Sequence, residues 1–154
     1  DLLFPFLNAP RMMRPIEGDF AAQVACEPAC DDRPGIGGIL LWQDKSNYLR
    51  LCIGVRAQDE MSLEGCIENN DVVVGRGRLV ASPVTLRMER TGNTVRALCS
   101  ADGEEWHSVG QVELRASGAL QVGLVAIGFP DRTIYHAPYP DGTAIHFTDF
   151  RLWN

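Results

Sequence analysis

Hydrophobic and polar residues alternate along much of this chain with the two-residue period of β-strands. The pattern is clearest between residues 84 and 109, where polar residues separate Val84, Leu86 and Met88. A half-buried strand shows this period because successive side chains point to opposite faces. Gly92-Asn93 and Asp102-Gly103 interrupt the alternation with residues suited to tight turns. We therefore predict three antiparallel strands joined by two hairpin turns in this stretch.

Further short strands are predicted on both sides of this stretch. They cover residues 11–15, 20–26, 39–43, 48–56, 61–67, 72–80, 111–115, 120–128 and 144–153. Turn-forming residues separate them, and no segment shows a helical stripe of hydrophobic residues. Roughly eight to twelve short strands without helices predict an all-β fold, an antiparallel two-sheet β-sandwich or jelly roll. The strands at 20–26 and 144–153 are expected to lie side by side at one edge.

Length and charge limit the possible functions. With 154 residues, the chain is predicted to form a single domain, with residues 1–10 as a lead-in segment. Because it does not begin with Met, we expect it to be a fragment of a longer protein. A net charge of −6 with a single lysine argues against nucleic-acid binding, which needs clustered cations. No apolar run approaches the ~18 residues of a membrane span.

The five cysteines have two interpretations. Cys26 and Cys30, with three residues between them, could close a small disulfide loop, and they lack the further ligands that a zinc site requires. Cys52 and Cys99 lie within predicted strands, where a buried thiol behaves as a small hydrophobic side chain. We favour structural thiols over the disulfide.

Several segments resemble the concanavalin A-like lectin/glucanase superfamily. They are GILLWQD at 38–44 leading into NYLRL at 47–51, LRMERTGN at 86–93, CSADGEEW at 99–106, GDF at 18–20 and FTDF at 147–150. Within the superfamily the chain is similar, over residues 11–153, to small jelly-roll domains of the regulation-of-enolase type. The resemblance implies their fold, and such domains also occur as accessory modules of glycosidases and other multidomain proteins. It specifies function less well, because the superfamily includes lectins, glycanases and modules with no known ligand.

Catalysis is not expected from this sequence. The glycanases of the superfamily carry a Glu-x-Asp-x-Glu pattern on one strand, which places the catalytic carboxylates on a single face. No such triplet occurs here. We therefore predict a non-enzymatic module, and a glycoside hydrolase with a non-standard site is the weaker alternative.

A structural calcium ion is implied only by the resemblance, and no other cofactor is expected. Related sandwiches often hold calcium near the paired termini, with a carboxylate and backbone carbonyls as ligands. Asp19 and Asp149 are the candidate ligands in this chain. The alternative is that these two residues cap turns or pair with arginine.

The best binding hypothesis comes from outward-facing residues of the central strands. Alternation in residues 48–56 places Tyr48 and Arg50 opposite the core-facing side chains, on a surface expected to be concave, and Arg87 points outward by the same argument. Aromatic rings stack on sugar rings and arginine donates to hydroxyls. The candidate carbohydrate-binding residues are Trp42, Tyr48, Arg50, Arg87 and Arg96. The alternative is an ordinary polar sheet face with arginines paired to glutamates.

These observations leave two main function classes. The first is a module that binds carbohydrate or assists ligand recognition within a larger protein. The second is a docking or structural domain that contacts a neighbouring domain of the parent protein through the aromatic loop containing Tyr135 and Tyr139.

Overall fold

A computed structural model describes residues 9–128 and 143–154, and these residues form eleven β-strands and no helix. The strands are β1 (Arg11–Ile16), β2 (Phe20–Pro28), β3 (Gly37–Asp44), β4 (Asn47–Ile53), β5 (Glu60–Ile67), β6 (Asn70–Arg78), β7 (Val84–Thr91), β8 (Thr94–Ser100), β9 (His107–Glu113), β10 (Leu120–Ala126) and β11 (Ile145–Trp153). Nothing in these two ranges forms a helix long and apolar enough to cross a membrane. The all-β prediction is confirmed.

The strands form two antiparallel sheets that pack as a β-sandwich. The six-stranded sheet has the order β1-β10-β3-β4-β5-β6, and the five-stranded sheet has the order β11-β2-β7-β8-β9. Strands far apart in sequence lie next to each other, since β10 pairs with both β1 and β3. Because β2 belongs to the five-stranded sheet while β1 and β3 belong to the six-stranded one, the chain crosses between the two sheets, as it does in jelly rolls. The predicted two-sheet architecture is confirmed.

The main core lies between the two sheets. Leu49, Leu51 and Ile53 of β4 and Leu86 and Met88 of β7 all belong to it, and none is more than 2% exposed. Burying one such side chain contributes about 1.5–3 kcal/mol relative to leaving it in water. The core thus fixes which face of each strand points outward, as the alternation in the sequence predicted.

The strands β2 and β11 lie side by side, as expected, with β11 at the edge of the five-stranded sheet. Their pairing is interrupted by a bulge between Thr148 and Arg151, where Asp149 has a φ of 57°. Strict alternation would place Phe147 and Phe150 on opposite faces, yet both pack against the core. The bulge explains this, because an extra residue in one strand shifts the side-chain alternation by one position.

The predicted three-stranded meander forms as β7, β8 and β9, with one correction. Gly92 and Gly103 have φ values of 60° and 80°, the positive values that their turns need. The predicted break between Val109 and Gln111 is wrong. Gly110 lies within β9 opposite Ala97, so the ladder continues to Glu113.

The turn between β8 and β9 is organised by Asp102. Its carboxylate accepts hydrogen bonds from the backbone N–H groups of Glu104 at 2.8 Å and Glu105 at 2.9 Å. These two N–H groups hold the pKa of Asp102 below its usual value. Because the carboxylate is engaged by its own turn, Asp102 shapes the chain here.

Gly103→Val is expected to destabilise the protein by roughly 1–2 kcal/mol, because valine tolerates a positive φ poorly. A Cβ at Gly103 would meet no atom within 4 Å, so backbone strain is the only expected cause. Urea denaturation measures the loss. Gly118→Val is the matched control, since Gly118 also has open space around it but no positive φ. Equal stability of the two variants would contradict the prediction.

All five cysteines are free thiols, so the Cys26–Cys30 disulfide is not formed. Cys26 is buried in the core between the sheets, whereas Cys30 is half-buried after the end of β2, where a hydrogen bond to Asp32 raises the pKa of its thiol. Burial raises the pKa of Cys52 to about 12. This supports the interpretation of the cysteines as structural thiols.

Candidate ligand-binding site

The outward face of the six-stranded sheet carries a second buried cluster. Tyr48 and Cys52 alternate with the core residues of β4 and pack with Leu40 of β3 and Val125 of β10. Tyr48 is only 8% exposed and Arg50, between Tyr48 and Cys52, only 4% exposed. The alternative of an ordinary polar sheet face does not describe this part of the surface, because its side chains are buried. The outward side chains here form a desolvated environment in which polar contacts are strengthened.

A small pocket of about 30 Å³ opens in this cluster. Apolar residues line part of it, namely Ala9, Leu40 and Val125, and the remaining lining residues are Arg11, Trp42, Tyr48 and Arg50. The rings of Trp42 and Tyr48 are stacked, with centroids 5.4 Å apart and an interplanar angle of 30°. The pocket thus combines an aromatic wall with guanidinium groups, as many ligand sites combine apolar walls with a few polar groups.

The sheet register explains why these side chains meet. Trp42 of β3 is directly opposite Tyr48 of β4, and Leu40 is directly opposite Arg50. On the other side of Leu40 lies Gly123 of β10, which has no side chain to fill the space. Facing residues in antiparallel strands have Cβ atoms about 4.5–5.5 Å apart, so their side chains contact each other.

Arg50 forms a buried ion pair with Glu64, its register partner on β5. The Nη2 group of Arg50 donates to Oε1 of Glu64 at 3.1 Å, and Glu64 is fully buried. Within the described residues, Nε of Arg50, Oε2 of Glu64 and Oγ of Ser62 have no hydrogen-bond partner. Buried polar groups are nearly always hydrogen-bonded, so these atoms mark the cluster as a polar site with unused hydrogen-bonding capacity.

The main charged groups at the pocket are Arg11, Arg50 and Glu64, the partner of Arg50. Arg50 and Glu64 compensate each other, and the guanidinium carbon of Arg11 lies 4.5 Å from the centre of the Trp42 ring. Burial raises the pKa of the Tyr48 hydroxyl, and the charge of Arg50 partly opposes that increase. Tyr48 is therefore a neutral phenol at physiological pH, able to donate or accept a hydrogen bond.

Arg87 and Arg96 do not belong to this pocket, which corrects the predicted grouping of five residues. They lie on β7 and β8 of the five-stranded sheet, and the outward faces of the two sheets point away from each other. Both pair with Glu89, through Nε of Arg87 at 2.7 Å and Nη2 of Arg96 at 2.8 Å. The alternative of arginines paired to glutamates therefore describes this face.

Two tryptophans flank Arg87 on the five-stranded sheet. Its guanidinium carbon lies 5.5 Å from the centre of the Trp106 ring and 5.6 Å from that of Trp153. The side chain of Trp153 is 45% exposed. This second surface is therefore at least partly open to solvent, unlike the buried cluster around Tyr48.

The two calcium candidates lie apart and already have partners. Asp19 accepts a hydrogen bond from the backbone N–H of Gly92 at 2.8 Å, and Asp149 pairs with Arg151 at 2.7 Å. Asp149 lies in the β11 bulge between the partners of Ala25 and Gln23, roughly five residues along β2 from Asp19, or about 16–17 Å at 3.3 Å per residue. Within residues 9–128 and 143–154, no three His, Cys, Asp or Glu side chains are grouped to hold a metal. The predicted calcium pair is therefore not assembled.

Sequence reasoning missed Glu64 and Arg11. A signal for Glu64 was present, because Ser62, Glu64 and Cys66 alternate with core residues in β5 and so share the outward face. The residue facing Glu64 could not be predicted, since the β4–β5 connection at 54–59 does not dictate a register.

Tyr135 and Tyr139, the aromatic residues of the predicted docking loop, lie outside the described residues.

The sequence matches a known family over almost its whole length. The family described as "Protein of unknown function (DUF1349)" matches residues 3–154. Among curated proteins, none matches the chain.

Solved structures share the fold at low sequence identity. A functionally unknown protein from Saccharomyces cerevisiae is 16% identical, with a TM-score of 0.68 over 93% of this chain and 72% of that one. The GH43 protein BlXynB from Bacillus licheniformis is 18% identical, with a TM-score of 0.68 over 88% of this chain but only 27% of that one. The carbohydrate-binding module CBM66 from Bacillus subtilis is 14% identical, with a TM-score of 0.60 over 90% of this chain and 76% of that one. These similarities confirm the predicted jelly-roll fold class.

Proposed function

We propose that the chain, which belongs to the DUF1349 family of proteins of unknown function, is a non-catalytic module that binds carbohydrate in the pocket around Trp42, Tyr48 and Arg50. The observation that carries the proposal is the stacked Trp42–Tyr48 pair beside a buried arginine. Sugar rings present apolar C–H faces to aromatic rings and hydroxyls to charged donors. The structural similarity to a carbohydrate-binding module supports this function. The narrower regulation-of-enolase type stays a hypothesis.

The arrangement of acidic groups supports a binding function over glycoside hydrolysis. Hydrolysis uses two carboxyl groups, on either side of the scissile bond, about 5–9.5 Å apart. The described residues that line the pocket include no Asp or Glu, and Glu64 is fully buried against Arg50. The similarity to the GH43 protein covers about a quarter of that longer chain, so its activity is not transferred to this domain.

Trp42→Ala is expected to weaken glycan binding at least tenfold, because it removes half of the aromatic wall. A tenfold change corresponds to about 1.4 kcal/mol, within the usual cost of truncating an aromatic residue at a binding centre. A glycan array followed by calorimetric titration of the strongest ligand measures the effect. The melting temperature of each variant reports whether the fold is retained.

Arg96→Ala is the control for the opposite sheet, because its side chain is half exposed and pairs only with Glu89 among the described residues. It should leave glycan affinity unchanged. A blank array, together with no titratable binding, would contradict the proposed function. If Arg96→Ala weakens binding and Trp42→Ala does not, the glycan binds the five-stranded sheet and the pocket assignment is wrong.

A docking or accessory role is the second candidate function. It is favoured by the exposed Trp153 beside Arg87 and Trp106, because aromatic residues and arginine are enriched at protein interfaces. The occupant would be another domain of the same polypeptide, since the matching part of the GH43 structure is only 27% of that chain. Trp153→Ser should then weaken attachment of the separately expressed domain without changing glycan binding.

A further inference from the structure

We infer that the pocket selects an acidic sugar, one that carries a carboxylate, over the corresponding neutral sugar. This inference rests on the proposed carbohydrate-binding function and specifies its ligand class. It is carried by the size of the pocket and by the charges around it.

The size of the pocket admits a substituent and excludes a whole ring. A cavity needs about 10–15 Å³ of this kind of volume to hold one water molecule. The observed 30 Å³ therefore holds a group of two or three heavy atoms, such as a carboxylate or a hydroxymethyl group. The sugar ring itself then lies at the mouth against Trp42, which is half-buried.

The charges around the pocket favour the carboxylate. Among the described residues, those that line the pocket include two guanidinium groups, Arg11 and Arg50, and no acidic side chain. Glu64 compensates one positive charge, because it pairs with Arg50. Arg11 is exposed and forms no ion pair with any residue in the described ranges, so one positive charge remains at the mouth. The charge of Asp71, on β6, contributes to the raised pKa of Tyr48, but Asp71 does not line the pocket.

The hydrogen-bonding state of Arg50 is consistent with an anionic ligand. Arg50 carries five N–H donors, and its one hydrogen bond to a described residue is the contact from Nη2 to Glu64. Its Nε group is buried without a partner within the described part of the chain. A carboxylate accepts two parallel N–H bonds from a guanidinium and forms shorter, stronger bonds than a neutral hydroxyl does. A hydroxymethyl group would gain nothing from the uncompensated charge of Arg11.

The test compares matched pairs of sugars that differ only at this substituent. The methyl glycosides of glucuronic acid and glucose, and of galacturonic acid and galactose, are titrated into the protein and followed by NMR chemical shifts. We expect at least one acidic sugar to bind tenfold or more tightly than its neutral partner. The preference should disappear when the carboxylate is methyl-esterified, and it should fall at high salt because Arg11 is exposed.

Arg11→Gln should reduce the preference for the acidic sugar to less than threefold, because it removes the uncompensated positive charge at the mouth of the pocket. Arg14→Gln is the matched control, since Arg14 is an exposed arginine of the same strand that does not line the pocket. Equal affinity for acidic and neutral sugars would overturn this inference and leave the proposed function standing. Absence of binding by every sugar would defeat the proposed function itself, and the inference with it.

Discussion

Glu64→Ala is expected to destabilise the protein by about 3–5 kcal/mol, the largest effect of any single change considered. Glu64 is fully buried, and the charge that it balances, on Arg50, is 4% exposed. Removing one partner of a buried ion pair leaves an uncompensated charge in a poorly solvated environment. Urea denaturation followed by circular dichroism measures the loss. Glu89→Ala is the matched control, since Glu89 pairs with two arginines at a partly exposed site, where such pairs contribute about 0–1 kcal/mol.

A double variant separates the loss of the pair from the loss of volume. Arg50→Met combined with Glu64→Leu should recover most of the lost stability, because a hydrophobic replacement of a buried ion pair is often neutral or stabilising. The same double variant should not bind glycan if Arg50 contacts the ligand. If the double variant loses as much stability as the two single variants lose together, the residues do not act as a pair. If the double variant binds glycan fully, Arg50 does not contact the ligand.

The fold was predictable because local patterns in this sequence agree with the final structure. Leu49 and Leu51, like Leu86 and Met88, recur at every second position and all face the core. The positive φ at Gly103 was predicted from the Asp-Gly pair alone. The failures occur where the local pattern is interrupted without a sequence signal. The bulge at Asp149 is the clearest case, because it depends on how β11 pairs with β2.

The candidate site was only partly predictable, because a site combines residues from strands that sequence patterns cannot assign to a sheet. Alternation showed that Tyr48, Arg50 and Arg87 point outward, and all three do. It did not show that β4 and β7 lie in different sheets, so residues on opposite surfaces were grouped together. The partner of Arg50 was also hidden, since a register between two strands follows from their pairing and not from either strand alone.

Gly38→Ala is the second substitution for which we expect a large loss of stability, and the reason is again the pairing of strands. Gly38 lies in β3 between Val125 of β10 and Cys52 of β4, in the middle of the six-stranded sheet. A Cβ at this position would meet the backbone carbonyl oxygen of Leu51, which cannot move without moving the strand. Overpacking of this kind typically costs about 1–3 kcal/mol and sometimes more, and we expect about 3 kcal/mol because both neighbouring strands are held by the sheet.

Gly118→Ala is the control, because a Cβ there meets no atom within 4 Å and the backbone is not in the left-handed region. That substitution should leave stability unchanged or raise it by about 0.4–1 kcal/mol, through a less flexible unfolded chain. Urea denaturation of both variants gives the comparison. Since β3 also carries Leu40 and Trp42, any Gly38→Ala protein that folds should bind glycan more weakly as well. If Gly38→Ala is as stable as Gly118→Ala, the close approach of β3 and β4 does not exist in solution, and the pocket geometry that depends on it is wrong.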